Sequence, residues 1–274
     1  MTQGRLHDQT AIVTGAGRGI GAAIAERFAA EGACVVVADM NAETAGETAE
    51  RIVANGGQAL GVQANVSQAD EVDRLVEASN EAFGTVDTLV NNAGDVTVMR
   101  HFLDADESWW DHFLTTNLKS QYLCIARIAP QMVEAGKGSI INMSSGGATR
   151  AHRGMVAYDA SKGGVEGMSR SLALDLGPYG IRVNALVPGL IATRPSHLEP
   201  EARARRDNTV PIGRGGLAAD MAGPALFLAS SDAAYVTGAT LVVDGGVLVQ
   251  QRSPQVEVFP LSEFPAVGRR RAAN

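Results

Sequence analysis

A tyrosine and a lysine stand four residues apart in the stretch AYDASKGG, residues 157–164. At this spacing Tyr158 and Lys162 share one face of a helix and can reach into the same cleft. An ammonium group about 4 Å from the phenol, at an effective dielectric near 20, supplies about 4 kcal/mol, enough to lower the tyrosine pKa from about 10 to about 7. The pair therefore predicts a tyrosine that acts as general acid and base. A chance pair on the surface is the alternative.

A second stretch with chemical meaning is the glycine-rich sequence TGAGRGIG at residues 14–21. Between a strand and a helix, its glycines allow a tight turn and a close approach of the backbone to a pyrophosphate at the helix N-terminus. Asp39 follows Gly19 by twenty residues, the spacing at which a carboxylate meets the ribose of an adenosine. A glycine-rich loop alone is a weak signal, so this interpretation depends on the elements around it.

Short β-branched runs and longer helical patterns alternate along the chain. We predict strands at residues 10–14, 34–38, 58–63, 87–90, 139–143, 181–187 and 240–243. Helices are expected at residues 20–31 and 42–54, from a cap at Ser67 to Phe83, and in the stretches 107–133 and 156–176. This βαβ rhythm predicts an α/β fold with a doubly wound parallel sheet and helices on both faces. We expect one domain over residues 1–246 and a C-terminal extension over 247–274.

The composition excludes several classes of protein. With 45% hydrophobic and 19% charged residues, the 274-residue chain is typical of a globular protein. A formal net charge of −7 argues against a surface for nucleic acid or an anionic membrane. No apolar run reaches the roughly 18 residues of a membrane helix, and the polar start predicts no signal peptide. Five scattered histidines predict no metal site, and two isolated cysteines suit a reducing cytoplasm.

Several motifs in one order make the sequence similar to the short-chain dehydrogenase/reductase family over nearly all of residues 6–246. The motifs are TGAGRGIG at 14–21, NNAG at 91–94, Asn117, Ser145, YDASK at 158–162 and PGLIAT at 188–193. The resemblance implies a seven-stranded Rossmann-type sheet and NAD(H)- or NADP(H)-dependent oxidation of an alcohol or reduction of a carbonyl compound. It implies a catalytic set of four residues: Asn117, Ser145, Tyr158 and Lys162.

The resemblance also implies a role for each member of this set. Tyr158 exchanges the substrate proton while a hydride moves to or from the nicotinamide, and Lys162 also binds the nicotinamide ribose. Ser145 follows a predicted strand and holds the substrate oxygen; Ser144 is the competing serine, but the family spacing favours Ser145. Asn117 supports a water chain to the lysine, with a polar kink in the helix as the alternative.

The cofactor site is expected at the carboxyl ends of the strands, where open α/β sheets bind ligands. The residues predicted to contact the cofactor are Gly15, Arg18, Gly19, Ile20, Gly21, Asp39, Asn65, Val66, Asn91, Ala93, Gly94, Tyr158, Lys162, Pro188, Gly189, Ile191 and Thr193. By resemblance Asn91 contacts the ribose region, with a turn asparagine as the alternative. Asn65 replaces an aspartate that is more frequent in the family, and its carbonyl can still meet the adenine amino group.

Asp39 predicts a preference for NAD(H) over NADP(H). Its carboxylate can accept hydrogen bonds from both ribose hydroxyls, whereas a 2′-phosphate would bring a second negative group to the same place. Arg18 argues the other way, because a cation in the glycine turn can pair with that phosphate. Two alternatives stay open: a 3-oxoacyl reductase-like enzyme that uses NADPH, and a nucleotide-binding regulator without catalysis.

The substrate pocket is expected between residues 95–101, 146–155 and a mobile lid from Arg194 to Arg214. Arg150, His152 and Arg153 give one wall a basic character, which favours a sugar, a polyol or an oxo-acid. Loop charges without substrate contact are the alternative.

Two features predict assembly of the chain into a homotetramer or homodimer. The helical stretches 107–133 and 156–176 carry apolar residues on more than one face: Leu118, Leu123, Ile125, Ile128 and Met132. The family resemblance implies an interface on these helices. In the extension, VEVFPLSEFP predicts an extended arm that packs on a neighbouring subunit and edges its pocket, with a disordered end as the alternative.

Overall fold

The protein, described over residues 4–251 by a computed structural model, is built on parallel strands. They are β1 (Thr10–Thr14), β2 (Cys34–Asp39), β3 (Gln58–Gln63), β4 (Thr88–Asn91), β5 (Gly138–Met143), β6 (Ile181–Pro188), β7 (Ile191–Ala192), β8 (Gly216–Leu217) and β9 (Thr240–Val243). All except β7 and β8 form one seven-stranded sheet in the order β3-β2-β1-β4-β5-β6-β9. The predicted single-domain fold is confirmed, and each of the seven predicted strands lies within one residue of its expected bounds.

Helices cover both faces of this sheet. They are α1 (Gly19–Ala30), α2 (Ala42–Ala54), α3 (Ala69–Phe83), α4 (Glu107–Leu114), α5 (Ser120–Ala135), α6 (Val156–Leu176), α7 (Pro200–Asp207) and α8 (Ala219–Ala229). Helices α1, α2 and α8 bury their apolar sides in a first core on one face, and α3, α5 and α6 do so in a second core on the other. Adjacent residues of β1 face opposite cores, Val13 the first and Ile12 the second. Because both of their faces are buried, inner strands such as β1 and β2 are nearly continuous apolar runs.

The sheet order creates a crevice at its carboxyl edge. β1 pairs with β2 on one side and with β4 on the other, so the loops after β1 and β4 leave adjacent strands in opposite directions. Open α/β sheets bind ligands at such a point of reversal. The glycine turn follows β1 and the NNAG motif ends β4, so this crevice brings the two motifs together.

The prediction that Ser67 caps α3 is wrong by one residue. The helix starts after Gln68, which makes no side-chain cap, because the turn before it is closed differently. The Asn65 side chain accepts a hydrogen bond from the N–H of Ser67 (3.1 Å), and the Glu71 carboxylate accepts one from the N–H of Asn65 (2.8 Å). A carboxylate in the first turn also suits the positive end of the helix dipole.

The apolar residues that suggested a subunit contact on α5 lie instead in the core of their own chain. The second core contains Leu123, Ile125, Ile128 and Met132. These four side chains are therefore not free apolar surface, and the fifth, Leu118, is half-buried in the turn before α5 and lies against Gly164, so the argument for assembly from these residues was wrong. The large apolar side chains exposed on α4, α5 and α6 are others: Trp110, Tyr122, Val156 and Leu174.

The stretch predicted as a lid folds as an excursion from the domain. Strands β7 and β8 pair in parallel and close its base, Ile191 opposite Gly216 and Ala192 opposite Leu217. Between them the chain forms α7, whose residues are exposed or half-buried. Within residues 4–251, no helix combines the length and the apolar character needed to cross a membrane.

Candidate active site

The glycine turn after β1 is tied to the loop after β4. The Asn92 side chain donates hydrogen bonds to the carbonyl oxygens of Thr14 (2.9 Å) and Gly15 (3.0 Å). The Thr14 hydroxyl accepts from the N–H groups of Asn92 and Ala93, both at 3.0 Å. A β-carbon at Gly21 would overlap the Gly15 carbonyl oxygen and lie 2.6 Å from Asn92 Nδ2. Glycine at position 21 therefore allows the first turn of α1 to lie directly against this junction.

The start of α1 has the features of an anion site. Gly15 and Gly19 have φ angles of 61° and 60°, in the left-handed region that glycine adopts without steric cost. Arg18 precedes the helix without capping it, so the amide groups of the first turn remain available to a pyrophosphate together with the positive end of the helix dipole. Ile20, two residues after Arg18, packs against the first core and anchors the turn.

Asp39 is held at the rim of the same turn. One carboxylate oxygen accepts from the N–H of Gly17 and the other from the N–H of Asn41, both at 3.0 Å. Neither bond uses all the lone pairs of its oxygen, so both oxygens can accept further hydrogen bonds. The Arg18 side chain is exposed and has no ion pair among the described residues.

The loops after β3 and β6 reach the same edge. Val66 is buried in the second core, and the Asn65 oxygen that closes the α3 turn keeps a second acceptor position. A β-carbon at Gly19 would lie 3.4 Å from Thr193 Cβ, so the loop after β6 lies against the glycine turn. The residues of that loop predicted to contact the cofactor are Pro188, Gly189, Ile191 and Thr193.

The Asn91 side chain does not face the crevice. It is 1% exposed and donates to the side-chain oxygen of Asn142 in β5 at 2.9 Å, so the expected ribose contact cannot be made by this side chain. Asn91 also ends strand β4 and is not a turn residue. Its neighbour Asn92, which joins the two loops, was missed; its place inside the NNAG motif was the available signal.

Asn117 clamps the loop that leaves β4. Its side chain is fully buried in a π-helical turn between α4 and α5, Thr115–Lys119, a local feature that is frequent at functional sites. The side-chain oxygen accepts from the N–H of Asp95 (2.7 Å) and the amide donates to the Asp95 carbonyl oxygen (2.9 Å). A β-carbon at Gly94 would lie 2.8 Å from Asn117 Oδ1 and 3.6 Å from Lys162 Nζ. Gly94 therefore marks the point where the clamp and the lysine meet.

Tyr158 lies in the first turn of α6 and faces the loop after β5. Of the two candidate serines, Ser144 is buried and donates to Glu166 Oε1 at 2.9 Å, whereas the Ser145 hydroxyl lies close enough to Tyr158 to act on its pKa. Burial raises the pKa of Tyr158; the bond with Ser145 lowers it and the charge of Asp159 raises it. The prediction that Lys162 lowers the pKa of Tyr158 is therefore wrong for the protein alone.

Lys162 is itself desolvated beside the tyrosine. Its ammonium lies 5.8 Å from the centroid of the Tyr158 ring. It is fully buried and donates to the carbonyl oxygen of Met143 at 2.9 Å, and burial lowers the pKa of Lys162 to about 8. Desolvation thus shifts both members of the pair towards their neutral forms.

The three segments expected to line the substrate pocket are joined to one another by hydrogen bonds. The backbone N–H of Arg100 donates to the carbonyl oxygen of Gly154 at 2.9 Å, which joins the loop after β4 to the loop after β5. The Gln250 side chain donates to the carbonyl oxygen of Thr209 at 3.0 Å, and the Arg150 guanidinium donates to the carbonyl oxygens of Val247 and Gln250. Residues 247–250 therefore connect the loop after β5 to the lid.

The basic wall expected from Arg150, His152 and Arg153 is reduced, because the Arg150 guanidinium donates to carbonyl oxygens of the C-terminal segment. The proposed arm VEVFPLSEFP lies outside the described residues.

Within residues 4–251, no group of three or more His, Cys, Asp or Glu side chains could hold a metal ion.

Known proteins are similar to this chain over most of its length. A family model described as enoyl-(acyl carrier protein) reductase matches residues 15–248. L-rhamnose 1-dehydrogenase (NAD(P)(+)) of Azotobacter vinelandii is 44% identical over 257 residues, 89% of this chain and 98% of the relative. A 3-oxoacyl-[acyl-carrier-protein] reductase of Staphylococcus aureus (strain N315) is 39% identical over 241 residues, 87% of this chain and 98% of the relative.

A solved structure has the same fold. It is a 7 alpha-hydroxysteroid dehydrogenase complexed with NADH and 7-oxo glycochenodeoxycholic acid. Its TM-score is 0.84 at 37% sequence identity, covering 88% of this chain and 95% of that chain.

Replacement of the buried lysine is expected to change how stability depends on pH. The pKa of Lys162 is lowered to about 8, whereas an unfolded lysine titrates near 10.4, so the unfolded chain binds the extra proton between these values. The free energy of unfolding of the unmodified protein should therefore rise, relative to that of Lys162→Met, by about 2–3 kcal/mol from pH 7 to pH 10. Denaturant unfolding at both pH values, without cofactor, measures this rise. Lys119→Met, at an exposed lysine, is the matched control. The lowered pKa of Lys162 would be contradicted if the free energy of unfolding of the unmodified protein differed from that of Lys162→Met by the same amount at pH 7 and at pH 10.

Proposed function

Because this chain belongs to the short-chain dehydrogenase/reductase family, we propose that it oxidises a secondary alcohol to a ketone, or catalyses the reverse reduction, with NAD(H). It is an oxidoreductase that acts on CH–OH groups, so the alternative of a regulator without catalysis is not retained. The observation that carries the proposal is that Lys162 lies beside both Gly94 and the Tyr158 ring, with Ser145 next to Tyr158, at the sheet edge that holds the glycine turn. A sugar, a polyol or an oxo-acid is the favoured substrate class.

The residues at this edge fit a nicotinamide dinucleotide. The glycine turn and the uncapped start of α1 offer amide groups to the pyrophosphate. Asp39 offers two carboxylate oxygens to the adenosine ribose, and Thr193 lies against the turn from the loop after β6. When bound, the nicotinamide supplies the acceptor or donor of the hydride.

The protein's own groups handle the proton. Ser145 positions the substrate oxygen and Tyr158 exchanges a proton with it. Since the pKa of Tyr158 is raised, the protonated phenol dominates at neutral pH, and this is the form that donates to a carbonyl during reduction. Lys162 uses one of its three donors on Met143, which leaves two for the hydroxyls of a nicotinamide ribose. Asn117 fixes the Asp95 backbone and so sets the floor of the site.

The relatives support the alcohol–ketone chemistry but differ in their substrates. A sugar dehydrogenase, a 3-oxoacyl reductase and a hydroxysteroid dehydrogenase are all similar to the chain. The sugar dehydrogenase is the most identical of the three, which favours a hydroxylated substrate here. The exposed Arg18 beside the glycine turn favours the second candidate, a 3-oxoacyl reductase that uses NADPH.

Assembly into a homotetramer or homodimer stays part of the proposal. Its support is the exposed apolar surface on α4, α5 and α6, formed by Trp110, Tyr122, Val156 and Leu174, together with the family resemblance. The extension over residues 247–274 is proposed to edge a substrate pocket, and the contacts of residues 247–250 with the lid support that position for its first part.

Tyr158→Phe is expected to abolish most turnover without loss of cofactor. Removal of the acid–base hydroxyl should lower kcat by about 10²–10⁴-fold, while the Kd for NADH, measured by fluorescence titration, stays within about twofold. Lys162→Arg should not restore activity, because a planar guanidinium does not fit the place of a compact ammonium. Absorbance of the reduced cofactor over a panel of alcohols and ketones gives the rates, and Tyr235→Phe, at a fully exposed tyrosine, is the control. Near-normal turnover by Tyr158→Phe would refute the assignment.

The unmodified enzyme is expected to prefer NAD(H) over NADP(H) by roughly thirty- to a hundredfold in kcat/KM, from about 2–3 kcal/mol of repulsion at Asp39. Asp39→Asn keeps an acceptor for the backbone but removes the charge, so it should narrow this preference, and Asp39→Ala should narrow or reverse it. Arg18→Ala should instead weaken only the reaction with NADP(H). Equal kcat/KM for the two cofactors in the unmodified enzyme would show that Arg18 outweighs Asp39.

Two truncations separate the parts of the C-terminal extension. A chain that ends at Gln251 keeps the described contacts of residues 247–250, whereas a chain that ends at Gly246 loses them. We expect the shorter chain to have a KM raised by about tenfold, since the lid loses its bond to Gln250. A change of oligomeric state already in the chain that ends at Gln251, measured by light scattering, would assign residues 252–274 to the subunit contact. Unchanged KM and assembly in both chains would overturn a role for the extension.

A further inference from the structure

A histidine and an aspartate beside Tyr158 form a pair that the reaction scheme above does not use. His152 lies in the loop after β5 and Asp159 directly follows the tyrosine in α6. The Nδ1 atom of His152 is 2.9 Å from Asp159 Oδ1, and the backbone N–H of His152 donates to Asp159 Oδ2 at 2.7 Å. Two bonds to one carboxylate fix both the position and the orientation of the imidazole.

The surrounding backbone is fitted to this pair. Asp159 is only 12% exposed, whereas His152 is 48% exposed, so the carboxylate is the anchor and the imidazole is the part that faces outward. A β-carbon at Gly147 would overlap Asp159 Oδ1 and lie 3.1 Å from His152 Nδ1. Any side chain at position 147 would therefore displace the pair.

Of the three basic residues on this wall, only His152 is directed beside Tyr158. The Arg150 guanidinium donates to carbonyl oxygens of residues 247 and 250. Arg153 is exposed and makes no ion pair among the described residues. The rings of His152 and Tyr158 lie with centroids 6.4 Å apart, near enough for one small substrate to reach both.

The bonds of the imidazole leave one atom for a ligand. Because Nδ1 faces a carboxylate, it carries a proton, and Nε2 is the atom without a hydrogen-bond partner within residues 4–251. Nε2 accepts a hydrogen bond when the ring is neutral and donates one when it is protonated. A hydroxyl group can form a bond with either state, since it both donates and accepts.

A carboxylate ligand fits this place less well. The negative charge of Asp159 already offsets a protonated His152, so an anion would gain little attraction from the pair. An oxo-acid would also meet Nε2 as an acceptor whenever the ring is neutral. The pair therefore favours a neutral hydroxyl over a carboxylate.

We propose that His152, held by Asp159, binds a second hydroxyl group of the substrate, on a carbon next to the one that reacts. This inference rests on the proposed function and narrows its substrate class to polyhydroxylated compounds such as sugars and polyols. His152 is then a specificity-determining residue, and Asp159 is a positioning residue that acts through it.

The test uses substrates in matched pairs that differ only in that neighbouring hydroxyl group. Suitable pairs are D-glucose with 2-deoxy-D-glucose, D-ribose with 2-deoxy-D-ribose, and trans-cyclohexane-1,2-diol with cyclohexanol. The quantity measured is the ratio of kcat/KM within each pair, for the full chain with NAD or NADP at one pH. Because the members of a pair share the same tyrosine, any effect of a substitution on Tyr158 cancels in this ratio.

The unmodified enzyme should prefer the hydroxylated member by about two- to tenfold, the effect of one hydrogen bond between neutral groups. His152→Phe should abolish that preference and leave kcat/KM for the other member within about twofold. Asp159→Asn should lower the within-pair preference through a higher KM for the hydroxylated member, while any effect on Tyr158 is common to both members; His152→Gln, which keeps a polar group, should restore part of the preference. Arg153→Ala is the matched control on the same loop, and NADH binding by each variant shows that the fold is intact.

The outcomes separate this inference from the function on which it rests. Turnover of some pair by the unmodified enzyme, with a within-pair ratio that His152→Phe leaves unchanged, would overturn the role of His152 and leave the proposed function standing. An equal loss on both members would show that His152 serves the reaction itself and not the neighbouring hydroxyl. No turnover of any member, with either cofactor, would overturn the hydroxylated substrate class and with it this inference.

Discussion

The burial of the Lys162 ammonium against the carbonyl oxygen of Met143 is the constraint on which the rest of the site depends. A buried charge is costly unless polar groups surround it, and no carboxylate pairs with this lysine in the described part of the chain. Its position requires a backbone acceptor at the end of β5, a close approach of Gly94, and the Asn117 clamp that holds the following residue. The fold accepts this unfavourable group because it places a cation at the carboxyl edge of the sheet.

The same burial governs the tyrosine. A calculation from Coulomb's law alone lowers the pKa of Tyr158, because it counts the attraction of the lysine and leaves out the desolvation of the phenolate. In the structure desolvation is the largest influence, and it shifts tyrosine and lysine in opposite directions, each towards its neutral form. A tyrosinate therefore requires positive charge beyond that of Lys162, and the oxidised nicotinamide carries such a charge. In the proposed reaction, proton transfer would therefore depend on the presence of the oxidised cofactor.

The sequence predicted the regular elements well because both faces of the sheet are covered, so strands are apolar runs that end at polar or glycine residues. It also predicted that Ser145, Tyr158 and Lys162 would meet, since they lie at the ends of such elements. The errors concern side-chain partners. Asn91 turns to Asn142, Asn92 joins two loops, and the apolar residues of α5 fill the second core. Each depends on a contact distant in sequence, which local spacing does not contain.

The groups proposed for catalysis and the loops proposed to select the substrate lie on different kinds of structure in this molecule. The proposed catalytic groups belong to a strand end, the first turns of a helix and a π-helical turn, all fixed by the two cores. The proposed pocket walls are loops that are joined by individual hydrogen bonds, such as those from Arg100 to Gly154 and from Gln250 to Thr209. Loops tolerate substitution more readily than core elements, so one reaction can be kept while the substrate changes. The different substrates named for relatives of similar length follow from this division.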